Sequence, residues 1–230
     1  MRAFYPFFLL ALYAACSPMQ NAVAIQHARP AAGVYGHTAI LTADKMNVFY
    51  IGVDNPISVF VTGVRSDEID VSIENGTITQ DSSYKPAYIV RVDKPGEVRI
   101  TVKASDSEST LRQVFSFRAK RIPDPMPVLG YPGKNDFSAA EFQAMKGLFM
   151  SLKDFDFEAR CQPVGYRLTR ISSNGERQSV YNLGMRYSTE AEALVKLAAS
   201  GDVFVFSEIT TLCPGDTEQR HLNNVAYFIQ

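Results

Sequence analysis

Apolar and polar positions alternate in short runs between His37 and Lys120. Val98, Ile100 and Val102 alternate with Arg99, Thr101 and Lys103, the period-two pattern of a strand with one buried and one wet face. Val48 and Tyr50, then Ile57, Val59 and Val61, repeat it. The runs expected as strands are Lys45–Tyr50, Ile57–Val61, Ile69–Ile73, Thr77–Gln80, Tyr88–Val92, Glu97–Lys103 and Gln113–Arg118. Turn residues separate them: Gly52, Asp54, Asn55 and Pro56 after the first run, Asn75-Gly76 and Lys94-Pro95-Gly96 later. Asn75-Gly76 predicts a tight hairpin, because both residues tolerate positive φ. Short strands at this spacing predict an immunoglobulin-like β-sandwich over residues 37–120.

Residues 25–36 include Pro30, Ala31, Ala32 and Gly33 and read as an unpacked linker. After the sandwich, residues 121–127 carry Pro123, Pro125 and Pro127, which predicts a stiff, extended Pro-rich strut. Residues 128–230 read as a second β-rich module with two short helices. Ser138 and Glu141 form a capping-box pattern opening the first helix, through about Met145. Ser188 or Thr189 caps the second, with Glu190 and Glu192 in its first turn and Ala191, Leu194, Val195 and Ala198 on its apolar face. Val164–Ile171 and Arg177–Asn182 read as strands around a Ser173-Asn174-Gly175 turn. Val203–Phe206, apolar at every position, reads as a central strand with the second helix on one side.

The N-terminus changes the picture. Phe4–Ala15 is a short apolar run after Arg2, shorter than the roughly 20 residues of a spanning helix. One reading is a signal peptide over residues 1–24, cleaved after Ala22-Val23-Ala24. The other is a lipoprotein leader over residues 1–15, with Tyr13-Ala14-Ala15-Cys16 as lipobox and a lipid on Cys16. Both place the mature chain outside the cytoplasm, in the periplasm or against the outer membrane. A membrane contact then runs only through a lipid anchor. The net charge of −1, with no basic block, argues against nucleic acid.

Candidate chemistry is sparse. Beyond Cys16, the only cysteines are Cys161 and Cys213. An oxidising compartment lets them pair, closing a loop worth about 4 kcal/mol by chain entropy; two buried thiols is the other reading. His27, His37 and His221 have no second ligand at metal spacing. Asp154-Phe155-Asp156-Phe157-Glu158 offers three carboxylates but lacks the glycine and spaced oxygens of a calcium loop, so Phe155 and Phe157 are expected inward and the carboxylates in water. No phosphate loop, nucleophile elbow or zinc-protease helix occurs. No enzyme activity and no cofactor are expected. Tyr84, Tyr88 and Tyr131, near turns or the strut, are candidates for a binding rim.

Several stretches resemble the periplasmic C-terminal region of the GldM/PorM family of the type IX secretion and gliding-motility machinery. They are Ala43–Val64 (ADKMNVFYIGVDNPISVFVTGV), Ala87–Ala104 (AYIVRVDKPGEVRITVKA), Phe117–Gly130 (FRAKRIPDPMPVLG), Phe157–Glu176 (FEARCQPVGYRLTRISSNGE) and Gly201–Asp216 (GDVFVFSEITTLCPGD). The resemblance implies a non-enzymatic scaffold or docking module. Its partners would be envelope proteins, ring components of that machinery, and in a homo-oligomer further copies of the chain. Full-length members carry N-terminal membrane helices that form a motor. This chain has a leader in their place, so the resemblance does not extend to torque generation. A secreted Ig-like adhesion module, binding glycan or protein through the tyrosines, is the alternative reading.

Overall fold

The computed structural model describes residues 24–27, 37–43, 47–81, 87–105 and 110–230. Its first half holds strands β1 (Ala24–His27), β2 (Ala39–Ala43), β3 (Val48–Tyr50), β4 (Asn55–Val61), β5 (Ile69–Glu74), β6 (Thr77–Gln80), β7 (Ala87–Arg91), β8 (Gly96–Ser105) and β9 (Thr110–Lys120). One sheet runs β1-β2-β4-β7-β6 and the other β3-β9-β8-β5. Between them lies one core, in which Leu41, Ile57, Val59, Val90, Ile100 and Val102 are fully buried. In immunoglobulin lettering, β2, β4, β7 and β6 are strands A, B, E and D, and β9, β8 and β5 are G, F and C. The parallel pairing of β3 with β9, Val48 opposite Arg118, closes the second sheet. The fold is mainly β, and this half is a β-sandwich.

Every expected run in this half holds a strand among the described residues, and β2 is an addition. Its buried Ala39, Leu41 and Ala43 do alternate, but Ile40 sits among the outward positions and hides the period. Asn75-Gly76 corrects a second expectation. It joins no hairpin, because β5 pairs with β8 and β6 with β7, so the chain crosses there from one sheet to the other. Asn75 still takes the left-handed conformation, at φ 64°. A third correction concerns Ala24–His27, which pairs antiparallel with Ala43–Ile40, so the unpacked reading fails for residues 25–27. Residues 1–23, Cys16 among them, lie outside the described residues, as do residues 28–36 of the expected linker.

The second half contains β10 (Met126–Val128), β11 (Asp136–Phe137), α1 (Ala139–Ala144), β12 (Phe149–Ser151), β13 (Gln162–Ile171), β14 (Arg177–Leu183), α2 (Thr189–Lys196), β15 (Val203–Leu212), β16 (Arg220–His221) and β17 (Val225–Ile229). Its main sheet is ordered β11-β17-β15-β13-β14, with β15 central, and β10 pairs with β12. Ser138 caps α1 through a full capping box and Ser188 caps α2. Both helices contribute to one core, Phe142 from α1 and Ala191, Leu194 and Val195 from α2 packing with Tyr166, Phe204, Phe206 and Tyr227 of the sheet. The other sheet face is open. Phe204 and Phe206 are fully buried on the helix side, whereas Val203 and Val205 are only half-buried on the open side.

Candidate functional site

The two halves meet at a joint assembled from four short segments. The first is the turn after β3. Asn55 is 1% exposed and its side chain is fully used. Its Oδ1 accepts from Tyr50 N at 2.8 Å, and its Nδ2 donates to Tyr50 O, Val53 O and Val90 O at 3.0 to 3.1 Å. This stiffens the bend that presents Gly52 at the surface while Ile51 stays buried in the sandwich core, and Ile51 N donates to Lys120 O at 2.9 Å.

The second segment is the Cys213–Asp216 turn of the other half. Gly52 and Gly215 pack backbone to backbone. A Cβ on Gly52 would stand 2.7 Å from Gly215 Cα, and one on Gly215 would stand 2.6 Å from Ile51 Cγ2. Only glycine allows that approach, and both residues have positive φ besides.

Residues 121–125 form the third segment, gripped from the side. Asp216, whose side chain is 1% exposed, forms a two-pronged ion pair with Arg220, itself 10% exposed. Arg220 Nε and Nη2 donate to the Asp216 carboxylate at 2.8 and 2.7 Å. Its Nη1 donates to Ile122 O at 2.7 Å and to Asp124 Oδ1 at 2.9 Å. Arg121 Nη2 reaches the same Asp216 at 3.0 Å, and Cys213 N donates to it at 2.9 Å. Burial pushes the Asp216 carboxyl up, but the hydrogen bonds from Arg220, Cys213 N and Arg121 outweigh it, and its pKa lies below the ordinary carboxylate value.

The fourth segment, residues 152–159, completes a small separate core. Tyr50, Val53 and Ile122 pack there with Phe157, and Phe155, Leu152 and Ala159 lie against them. Tyr50 meets Phe155 and Phe157 edge-on, at 4.8 and 5.1 Å between ring centroids. Phe155 and Phe157 thus turn inward while Asp154, Asp156 and Glu158 stay exposed, as expected, although the segment is irregular and not a strand. Among the described residues, no group of three or more His, Cys, Asp or Glu is placed to hold a metal.

Cys161 and Cys213 are joined by a disulfide across 52 residues of chain. Cys161 immediately precedes β13 and Cys213 immediately follows β15, next to the last paired residues Gln162 and Leu212. Of the tyrosines considered for a binding rim, Tyr131 is 77% exposed, whereas Tyr88 is buried in the sandwich core. Tyr88 therefore leaves that set: its side chain closes the sandwich, and burial raises its hydroxyl pKa. Tyr84 lies outside the described residues. His37 Nδ1 lies 2.7 Å from Thr62 O, and His221 is exposed on β16. His27 lies in β1.

The remaining surface is grooves and sheet faces. A groove of about 520 Å³ runs beside residues 124–128, with Met126 and Pro127 on one wall and His221, Asn223 and Asn224 on the other. On the open face of the second sheet, Tyr181, Leu183 and Phe228 are exposed. Tyr181 and Leu183 alternate along the edge strand β14, opposite Arg167 and Gly165, whereas Phe228 lies on β17, opposite Val203 and across β15 and β13 from them. Sequence reasoning found the turn at Gly52 but had no signal that it meets Gly215. The Asp216–Arg220 pair was equally silent, because its partners Ile122 and Asp124 lie almost a hundred residues away.

These features define a tandem β-module protein whose modules are clamped at a common joint. Residues 38–120 match the family model described as the GldM third domain, and residues 123–230 match the GldM C-terminal domain. The chain belongs to the GldM family. In that family these domains are periplasmic and structural, and they work in protein complexes of the gliding and secretion machinery. No curated protein matches the chain. Among solved structures, the chain is similar to the fibronectin(III)-like modules of CbhA from Clostridium thermocellum, at 17% identity and TM-score 0.28, covering 83% of this chain and 94% of that one. It is also similar to the D0-D1 domain of intimin, at 11% identity and TM-score 0.20, covering 84% and 91%. Among the described residues, no helix is long and apolar enough to cross a membrane.

Proposed function

We propose that this chain is a non-enzymatic scaffold and docking body of the gliding and type IX secretion apparatus. It is exported to the periplasm or the outer-membrane periphery. The two adjacent family matches, meeting at a joint built for fixed geometry, carry this reading. A scaffold transmits position only if its modules cannot swivel, and glycine-to-glycine packing with a buried ion pair opposes swivelling. Tyr181 and Leu183, alternating on the open face of edge strand β14, supply a surface for protein partners, since aromatic and aliphatic side chains anchor interfaces.

Affinity capture of the tagged chain from gently solubilised envelopes tests the proposal. Ring components of the secretion machinery should co-purify, and Tyr181→Asp with Leu183→Asp should abolish their recovery without changing the melting profile. A capture that leaves those components in the flow-through, from envelopes in which the ring stays assembled, refutes it.

A further inference from the structure

We propose that the Cys161–Cys213 disulfide is a redox-dependent latch on the inter-module joint, and not a staple of either module's core. Neither cysteine is a member of the sandwich core, of the core beneath the helices, or of the small core between them. Both are buried, at 7% and 5% exposure, at the end of the β13–β15 ladder that faces the first module. Besides the Arg220 grip on Ile122 and Asp124, the second module touches the first through two segments. One is residues 152–159, whose Phe155 and Phe157 pack on Tyr50; it runs directly into Cys161. The other is the turn beginning at Cys213, which carries Gly215 against Gly52 and Asp216 against Arg121. The disulfide therefore ties together two of the pieces that make the joint, with one cysteine at the end of residues 152–159 and the other opening the 213–216 turn.

Chain connectivity explains why a tie is useful there. Residues 152–161 contain no strand or helix, and the 213–216 turn follows the last residue of β15. Residues 152–161 link β12 to β13 and the turn links β15 to β16 without belonging to a sheet, so each can shift against the first module while the flanking strands stay paired. A covalent bond between them converts two independent tethers into one rigid seat. Opening it is a balanced exchange. A dithiol's thiolate attacks one cysteine sulfur, its second sulfur resolves the mixed disulfide, and both cysteines leave as thiols with two protons taken up while the dithiol becomes a disulfide. The modules' sheets contain neither sulfur and remain paired.

Hydrogen exchange read by peptide mass spectrometry on the full chain tests the latch, with and without dithiothreitol, thiol release being verified by alkylation. Exchange in peptides covering 50–54, 121–124, 152–160 and 213–217 should rise at least about tenfold on reduction, while β8–β9 and the middle of β13–β15 keep their protection. Unchanged exchange at the joint after verified reduction overturns the proposal. So does loss of protection throughout the second module, which would make the bond a core staple. Gly52→Leu opens the same joint from the other side with the disulfide intact, and should raise exchange in the same four peptides. If it leaves them protected, the segments tied by the disulfide are not held by the joint, and the latch is refuted.

Discussion

Gly52 of the first module and Gly215 of the second lie backbone against backbone, each at positive φ, 80° and 77°. Neither position tolerates a side chain, for two separate reasons. The conformation strains any other residue, and the space is occupied by the opposing chain.

Those reasons can be separated by measurement. Gly52→Ala and Gly215→Ala should each destabilise the full chain by about 2–4 kcal/mol in urea unfolding. Gly133→Ala is the control: its φ is 82° but nothing lies within 4 Å of its Cβ position, so only backbone strain remains, about 1 kcal/mol. Equal losses at all three positions would mean that the joint contact contributes nothing.

Arg220→Met should cost about 3 kcal/mol, because it leaves the Asp216 carboxylate buried without its main partner. Adding Asp216→Asn to that variant should recover part of the loss. A double-mutant cycle in which the two losses simply add would show no coupling.

Asn55→Ala should destabilise the sandwich by about 3 kcal/mol, since Tyr50 N, Tyr50 O, Val53 O and Val90 O lose their common partner. Asn55→Asp should be no better tolerated at neutral pH. A carboxylate accepts from Tyr50 N but cannot donate to the three carbonyls. Thermal melts in which the aspartate variant matches the native chain would contradict this account.

Acid should unfold the chain through two carboxylates. Asp202, like Asp216, is pushed up by burial and pulled down further, by Arg170 and by the Ala199 and Ser173 N–H groups. Both pKa values lie lower in the folded chain than in the unfolded one. Their stabilisation is therefore complete above the unfolded value, about 3.9, and is lost as pH falls through the folded values. The melting temperature should hold from neutrality to about pH 5 and then fall, and Asp202→Asn with Asp216→Asn should flatten the fall. An acid limb as steep in the double variant as in the native chain would assign acid sensitivity elsewhere.

Much of the fold was legible because its causes are local. The alternation through Val98, Ile100 and Val102 depends on which face of one strand is wet, and Ser138 and Ser188 cap helices that begin within three residues of them. Asn75-Gly76 shows where local reasoning ends. Asn75 does adopt the positive φ the dipeptide favours, though Gly76 does not, and whether the chain folds back or crosses to the other sheet depends on β8 and β7, which claim β5 and β6 as partners.

The sequence by itself determined a mainly β chain, two modules' worth of strands and two capped helices, since each follows from spacing along a few residues. Only the tertiary structure decided that Gly52 seats on Gly215, that Arg220 reaches back to Ile122 and Asp124, and that Tyr88 faces inward. Those contacts join residues far apart in the chain, and no local periodicity encodes which distant backbone a given turn will meet.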